Sequence, residues 1–166
     1  MKKKKIPESV RLLVLEESGY QCAFCGHRDG LNLTAHHVKL EKEGGKTDFY
    51  NLIALCYNCH HRVDETKSIP RKEIRRLKRH FVHQRLTQAG VNALIIDYKN
   101  PFGVIATPFS ITHLVEENLL KHEETQMSYV DKDGEIEATA LYRITEKGKE
   151  LAEMWIFRTN KYIKRP

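Results

Sequence analysis

Apolar residues recur at helical spacing in some stretches and alternate with polar ones in others, and these patterns divide the chain into elements. After Pro7, Val10, Leu13 and Val14 with Glu17 one turn on predict a first helix that stops at Gly19. Leu31, Leu33 and Ala35 alternate with polar partners, which predicts a strand over residues 31–40. Gly44-Gly45 marks residues 41–48 as a loop, 49–55 read as a returning strand, and 58–66 as a short helix. Ser68-Ile69-Pro70 interrupts. A second helix then covers 71–88, with Ile74, Leu77, Phe81 and Val82 as its apolar stripe.

From Ala89 the character changes. Residues 91–98 predict an apolar helix, Asn100-Pro101-Phe102-Gly103 a break, and 110–122 a helix with Ile111, Leu114, Val115, Leu119 and Leu120 inward. Alternation over 123–145 around Asp131-Lys132-Asp133-Gly134 predicts a hairpin, with Met127, Tyr129, Ile136, Ala138 and Ala140 as its core positions. A closing helix starts at Thr145 and runs to about Phe157. Helix, helix, hairpin, then Tyr-Arg-Ile-Thr-Glu-Lys-Gly-Lys-Glu-Leu resembles a winged-helix domain of the kind found in bacterial regulators.

Composition bounds the class of protein. The 166 residues are 40% hydrophobic and 30% charged, which suits a globular protein of one sizeable domain or two small ones. No apolar run approaches a membrane span, and Met-Lys-Lys-Lys-Lys leads into Ile-Pro-Glu rather than a signal-peptide core, so the expectation is a cytoplasmic protein with no membrane partner. The formal charge is +6, unevenly spread. Residues 1–88 hold 18 Lys and Arg against 10 Asp and Glu, an excess of +8; residues 89–166 hold 10 against 12, or −2. The first half is therefore the expected polyanion-facing side. Lys2 to Lys5 form a basic head, read either as a solvated terminus or as a phosphate-contacting arm. Arg71, Lys72, Arg75, Arg76, Lys78 and Arg79 crowd the second helix with only Glu73 opposing, and they are the candidate nucleic-acid-binding residues.

The chemistry sits between Cys22 and Asp64. Cys22/Cys25 and Cys56/Cys59 are two Cys-x-x-Cys knuckles separated by 30 residues. In a reducing compartment, thiols offered as close pairs suit tetrahedral zinc better than disulfides. Between and beside the knuckles lie His36-His37, Asn51, His60 directly after the last cysteine, and Asp64 one helical turn later. Four thiolates already satisfy a structural zinc, so these residues require a second explanation. Cys59 and His60 are about 100° apart on a helix, so one helix can serve zinc on one side and another ion on the other.

This set resembles the HNH nuclease family, whose ββα-metal motif is often clamped by such a zinc site; the resemblance covers roughly the first half of the chain. It implies a metal-dependent endonuclease that hydrolyses phosphodiester bonds in DNA. His37 falls on the general-base position and Asn51 on the residue that ties down the loop carrying the base. His36 and His60 fall on ligands of a divalent cation such as Mg²⁺, Mn²⁺, Ni²⁺ or Zn²⁺, with Asp64 as a further ligand or an exposed helix acid. His-His replaces the commoner Asp-His, which favours softer ions than a carboxylate would. Because neighbours on a strand face opposite ways, the pair must stand at a strand end or bulge.

The expected fold is thus α+β: a zinc-stabilised ββα-metal HNH module over 1–70, a basic connecting helix over 71–88 and a winged-helix-like domain over 89–166. Two other readings compete, a non-catalytic zinc-stabilised nucleic-acid-binding protein and a winged-helix transcription regulator. Glu116 and Glu117 on the candidate recognition helix, with Asp131 and Asp133 at the wing tip, repel phosphate and weigh against the regulator. They favour a homodimer contact, a protein partner or simple packing against the nuclease module for the C-terminal domain.

Overall fold

The computed structural model describes residues 5–28, 32–100, 102–132 and 134–157, without the side chains at 129, 131 and 134–137. Lys2 to Lys4 of the basic head, Leu31, Pro101 of the break, Asp133 of the hairpin turn and the side chains of Tyr129 and Ile136 lie outside the described residues. The chain divides into two compact units, Met1–Val82 and His83–Pro166.

The first unit opens with α1 (Glu8–Glu17), whose first carbonyl partner is Pro7 O, accepting from Arg11 N at 3.0 Å. Val14 and Leu15 are its buried residues, whereas Leu13 is 41% exposed. The helix ends as Ser18 Oγ donates to Leu15 O at 2.9 Å and Gly19 turns left-handed, at φ 62°. Strands β1 (Leu33–His37) and β2 (Leu52–Cys56) pair antiparallel, with Leu33 opposite Cys56 and His37 opposite Leu52. Helix α2 (Tyr57–Asp64) follows at once, completing a ββα order. Every residue of β2 is buried, so this strand is the floor of the unit. Both strands are shorter than the alternation suggested. Residues 49–51 form a 3₁₀ turn instead, with Asp48 as its cap: the Asp48 carboxylate accepts from Asn51 N at 3.0 Å.

Helix α3 (Arg71–Lys99) begins in the first unit and ends in the second, and Thr87, at φ 60° and ψ 165°, breaks its helical geometry. In the first unit its inward positions are Ile74, Lys78 and Val82, spaced four apart. Lys78 is completely buried, its ammonium 2.8 and 2.6 Å from the two carboxylate oxygens of Glu17 and 4.1 Å from the centre of the Phe49 ring. This corrects its assignment to nucleic-acid binding, since a charge enclosed by Glu17 and Phe49 has no access to phosphate.

In the second unit the remainder of α3 is followed by β3 (Val104–Ala106), α4 (Pro108–Glu116), β4 (Leu120–Asp131), β5 (Gly134–Ile144) and α5 (Glu146–Leu151), with a π-helical turn over Ala152–Ile156. The sheet order is β3-β5-β4, all antiparallel. Strand β3 was not expected; it directly follows the break read at residues 100–103. Ile111, Leu114, Leu120, Ala140, Leu151 and Trp155 are buried in this unit. Thr145 caps α5 by accepting from Gly148 N at 3.0 Å. Gly148 has no room for a side chain, because a Cβ would stand 2.2 Å from Leu119 O. Met127 was expected in the core but is 63% exposed, and β4 from residue 121 to 128 is exposed throughout. Among the described residues, no helix is long and apolar enough to cross a membrane.

Candidate functional site

Two groups of metal-ligating side chains assemble among the described residues of the first unit, and both are built on the ββα frame. The first is Cys22, Cys25, Cys56 and Cys59. Cys22 N donates to His27 O and Gly26 N to Cys22 O, both at 2.8 Å, curling the first knuckle; Gly26 adopts φ 73°, which a side chain would resist. Ala23 N donates to Ala54 O at 2.9 Å and so fastens that knuckle to β2. Cys56 ends β2 and Cys59 sits in the first turn of α2, so the strand-to-helix junction makes the second knuckle.

Cys25 Sγ and Cys56 Sγ lie 3.7 Å apart. Sulfurs about 2.3 Å from a central zinc stand about 3.8 Å from one another in a tetrahedron, so this spacing fits the ion. The electrostatics agree. Burial pushes the Cys56 and Cys59 thiols up, while the backbone N–H of His27 pulls Cys25 down. Four thiolates in this space require a cation among them, and the cluster is consistent with structural zinc.

The second group is His36, His60 and Asp64, whose ligating atoms lie within 4.8 Å of one another. His36 points from β1 into the unit and is 3% exposed, while His60 and Asp64 share a face of α2, four residues apart. The two imidazoles meet edge to face, with ring centres 4.9 Å apart. Asp64 Oδ2 stands 3.6 Å from His36 Nδ1 and 3.4 Å from His60 Nε2. Both separations are too long for good hydrogen bonds but suit ligands of one cation: at about 2.1 Å from it, neighbours stand about 3.0–3.4 Å apart. His36 Nε2 is buried without a hydrogen-bond partner. Burial lowers the His36 pKa to about 4, with Asp64 pulling the other way. The ring is therefore neutral near pH 7, the state in which it ligates a metal. The other Asp64 oxygen, Oδ1, accepts from Arg71 Nη2, which fixes the carboxylate's orientation. The donor set fits a divalent cation.

His37 ends β1 and is not one of that set. Its Nε2 lies 3.0 Å from Thr47 Oγ1, and the Thr47 hydroxyl donates to Glu41 Oε1 at 2.9 Å. The loop that presents Thr47 is held by Asn51, which is 1% exposed. Its side chain accepts from Lys39 N at 2.9 Å and donates to Lys39 O at 2.9 Å and Lys46 O at 2.8 Å. Gly45 is required where the loop crosses this clamp: a Cβ there would lie 1.9 Å from Lys39 O.

Of the basic residues on α3, Lys72 and Arg76 are exposed and Arg75 and Arg79 half-buried, at positions i, i+3, i+4 and i+7 of one face. Arg71 is instead bound to Asp64, and Arg76 lies 3.7 Å from Glu73. Thr47, Glu41 and the Arg71–Asp64 pairing were not visible in the sequence. Asp48 carried a local signal, as an acidic residue just before a turn.

Residues 22–65 match the family described as HNH endonuclease. No curated protein and no solved structure matches the chain. The matched span contains both cysteine knuckles, the strand-end histidines, the Asn51 clamp and the α2 ligands, and it stops before α3. The C-terminal unit therefore rests on its own topology. Residues 22–65 form an HNH endonuclease domain, a match that implies phosphodiester hydrolysis on nucleic acid.

Proposed function

We propose that the protein is a metal-dependent endonuclease that hydrolyses phosphodiester bonds in DNA, with His37 as general base. One observation carries this reading: His36, His60 and Asp64 form a ligand set, and His37 stands beside it at the end of the same strand but outside the set. A divalent cation held by His36, His60 and Asp64, such as Mg²⁺, Mn²⁺, Ni²⁺ or Zn²⁺, supplies positive charge for the phosphate and the leaving oxygen. The remaining work belongs to the chain. His37 takes a proton from the attacking water as its oxygen bonds to phosphorus, and the bond from phosphorus to the leaving sugar oxygen breaks. Asn51 holds the loop against which the base rests, so the imidazole does not lose its aim between turnovers. The four cysteines hold structural zinc, which keeps β2 and α2 in register beneath both histidines.

Binding is assigned to the first unit. Lys72, Arg75, Arg76 and Arg79 present one cationic face of α3 to the phosphate backbone, a sequence-independent contact. The acidic second half, with Phe109 97% and Ile105 61% exposed, suits contact with protein, including a second copy of the chain, better than contact with DNA. A winged-helix relationship is kept for it on α4 and the hairpin that follows. The reading places the enzyme in the cytoplasm.

The test is His37→Ala at saturating cation. Zinc content, fold and DNA affinity should be retained while cutting falls by roughly 10²–10⁴-fold, the usual worth of a positioned base. Equal cutting by wild type and variant rejects His37 as base. No cutting by wild type with any of the four cations rejects the enzyme in favour of a binding module.

A further inference from the structure

We infer that Thr47 and Glu41 fix the tautomer of His37, holding the ring proton on Nε2 and leaving Nδ1 as the nitrogen that accepts a proton. Donors and acceptors decide the tautomer. Ionised, the Glu41 carboxylate only accepts. Thr47 has a single hydroxyl proton, and that proton goes to Glu41 Oε1 at 2.9 Å. Its oxygen therefore meets His37 Nε2 at 3.0 Å as an acceptor, so Nε2 carries the hydrogen. Glu41 does not do this directly, since its oxygen is 4.0 Å from Nε2; the threonine is the bridge.

The bridge is held in place at both ends. Glu41 lies in a single 3₁₀ turn over Glu41–Glu43, whose closing bonds return to Leu40 O. Thr47 directly follows Lys46, whose carbonyl Asn51 Nδ2 holds at 2.8 Å. Asn51 thus clamps the segment that carries the bridge, and the bridge in turn sets the ring. The tautomer follows from this geometry alone, while its catalytic meaning rests on His37 being the base. A base with its lone pair on the wrong nitrogen cannot take the water's proton without first turning over. Thr47 and Glu41 are accordingly positioning residues.

The experiment uses the full-length, zinc-loaded chain. Long-range ¹H–¹⁵N spectra of the imidazoles, with the His37 signals assigned by their loss in His37→Ala, read which ring nitrogen is protonated. Wild type should show the Nε2–H form. Thr47→Val should give a mixture, and Thr47→Ser should restore the wild-type pattern. Glu41→Gln should also give a mixture, because a side-chain amide can donate to Thr47 and reverse the bridge. In DNA cutting, Thr47→Val should lower kcat by about tenfold or more with KM unchanged, and Thr47→Ser should recover it. An Nδ1–H form in wild type, or a Thr47→Val spectrum like wild type, overturns the tautomer assignment. A changed spectrum with unchanged kcat overturns the positioning role. If wild type does not cut DNA at all, the endonuclease reading fails, and the spectra still decide the tautomer.

Discussion

Lys78 offers a sharp test because its residue type and its position disagree. Its side chain is 0% exposed and that of Glu17 only 7%, so the pair is removed from water. Replacing Glu17 with Gln takes away the carboxylate to which the enclosed Lys78 ammonium donates two hydrogen bonds. Breaking one side of a buried ion pair costs about 3–5 kcal/mol. At about 1.4 kcal/mol per decade, that is roughly 2 to 3.6 decades in an opening equilibrium. The readout is amide hydrogen exchange of Ile53 and Leu55 in the zinc-loaded chain, since both are fully buried in β2 and report opening of the first unit. Their exchange should accelerate by that factor in Glu17→Gln. The double replacement Glu17→Leu with Lys78→Met removes both charges and should return to within about 1.5 kcal/mol of wild type, because matched apolar side chains substitute for buried ion pairs. DNA affinity of that double variant should show an unchanged salt dependence. Loss of one phosphate contact would instead flatten the slope of log K against log salt by about 0.9. A flattened slope with unaltered exchange would mean that Lys78 reaches DNA and that its buried pairing with Glu17 is wrong.

The zinc cluster gives a plainer outcome: Cys56→Ser should lose zinc and the fold of the first unit together, seen as absent metal by mass spectrometry and loss of protected β2 amides, and a folded, metal-free variant would remove zinc's structural role. Lys72→Ala and Arg76→Ala should each weaken DNA binding alike across sequences and each reduce the salt slope by up to about 0.9, measured by fluorescence anisotropy over a salt series. The His36 shift makes a pH prediction whose sign follows from linkage. Its folded pKa is about 4, below the usual 6.5, so the unfolded chain protonates first and stability falls as pH drops through that window; urea titrations at pH 7.5 and 6 should differ more for wild type than for His36→Phe.

What could be read beforehand was whatever depends on near neighbours in the chain. Two Cys-x-x-Cys pairs place their sulfurs together whatever the fold around them, and His60 with Asp64 shares a helix face by spacing alone. The strand-end position of His36 and His37 followed from the rule that neighbours on a strand diverge. Strand lengths did not follow, because Asp48 and Asn51 convert the start of the return into a capped turn, and side-chain capping competes with extension. Along the β4–β5 hairpin, alternation distinguishes two faces but says nothing about whether anything covers either, so Met127 was placed inside when it lies outside.

Lys78 shows why the remainder was out of reach. The positions Ile74, Lys78 and Val82 repeat every four residues, so spacing marked Lys78 as inward while its charge marked it as outward. The conflict is resolved by Glu17, 61 residues earlier, at a distance no local pattern can report. The same holds for His37, whose tautomer depends on Thr47 and Glu41 through a loop that Asn51 closes. In both cases residue type and spacing single out one residue, Lys78 or His37, but its partners are decided only when the chain closes on itself. The candidate cation ligands are therefore legible from one stretch of sequence, whereas the orientation of His37 is a property of the folded loop.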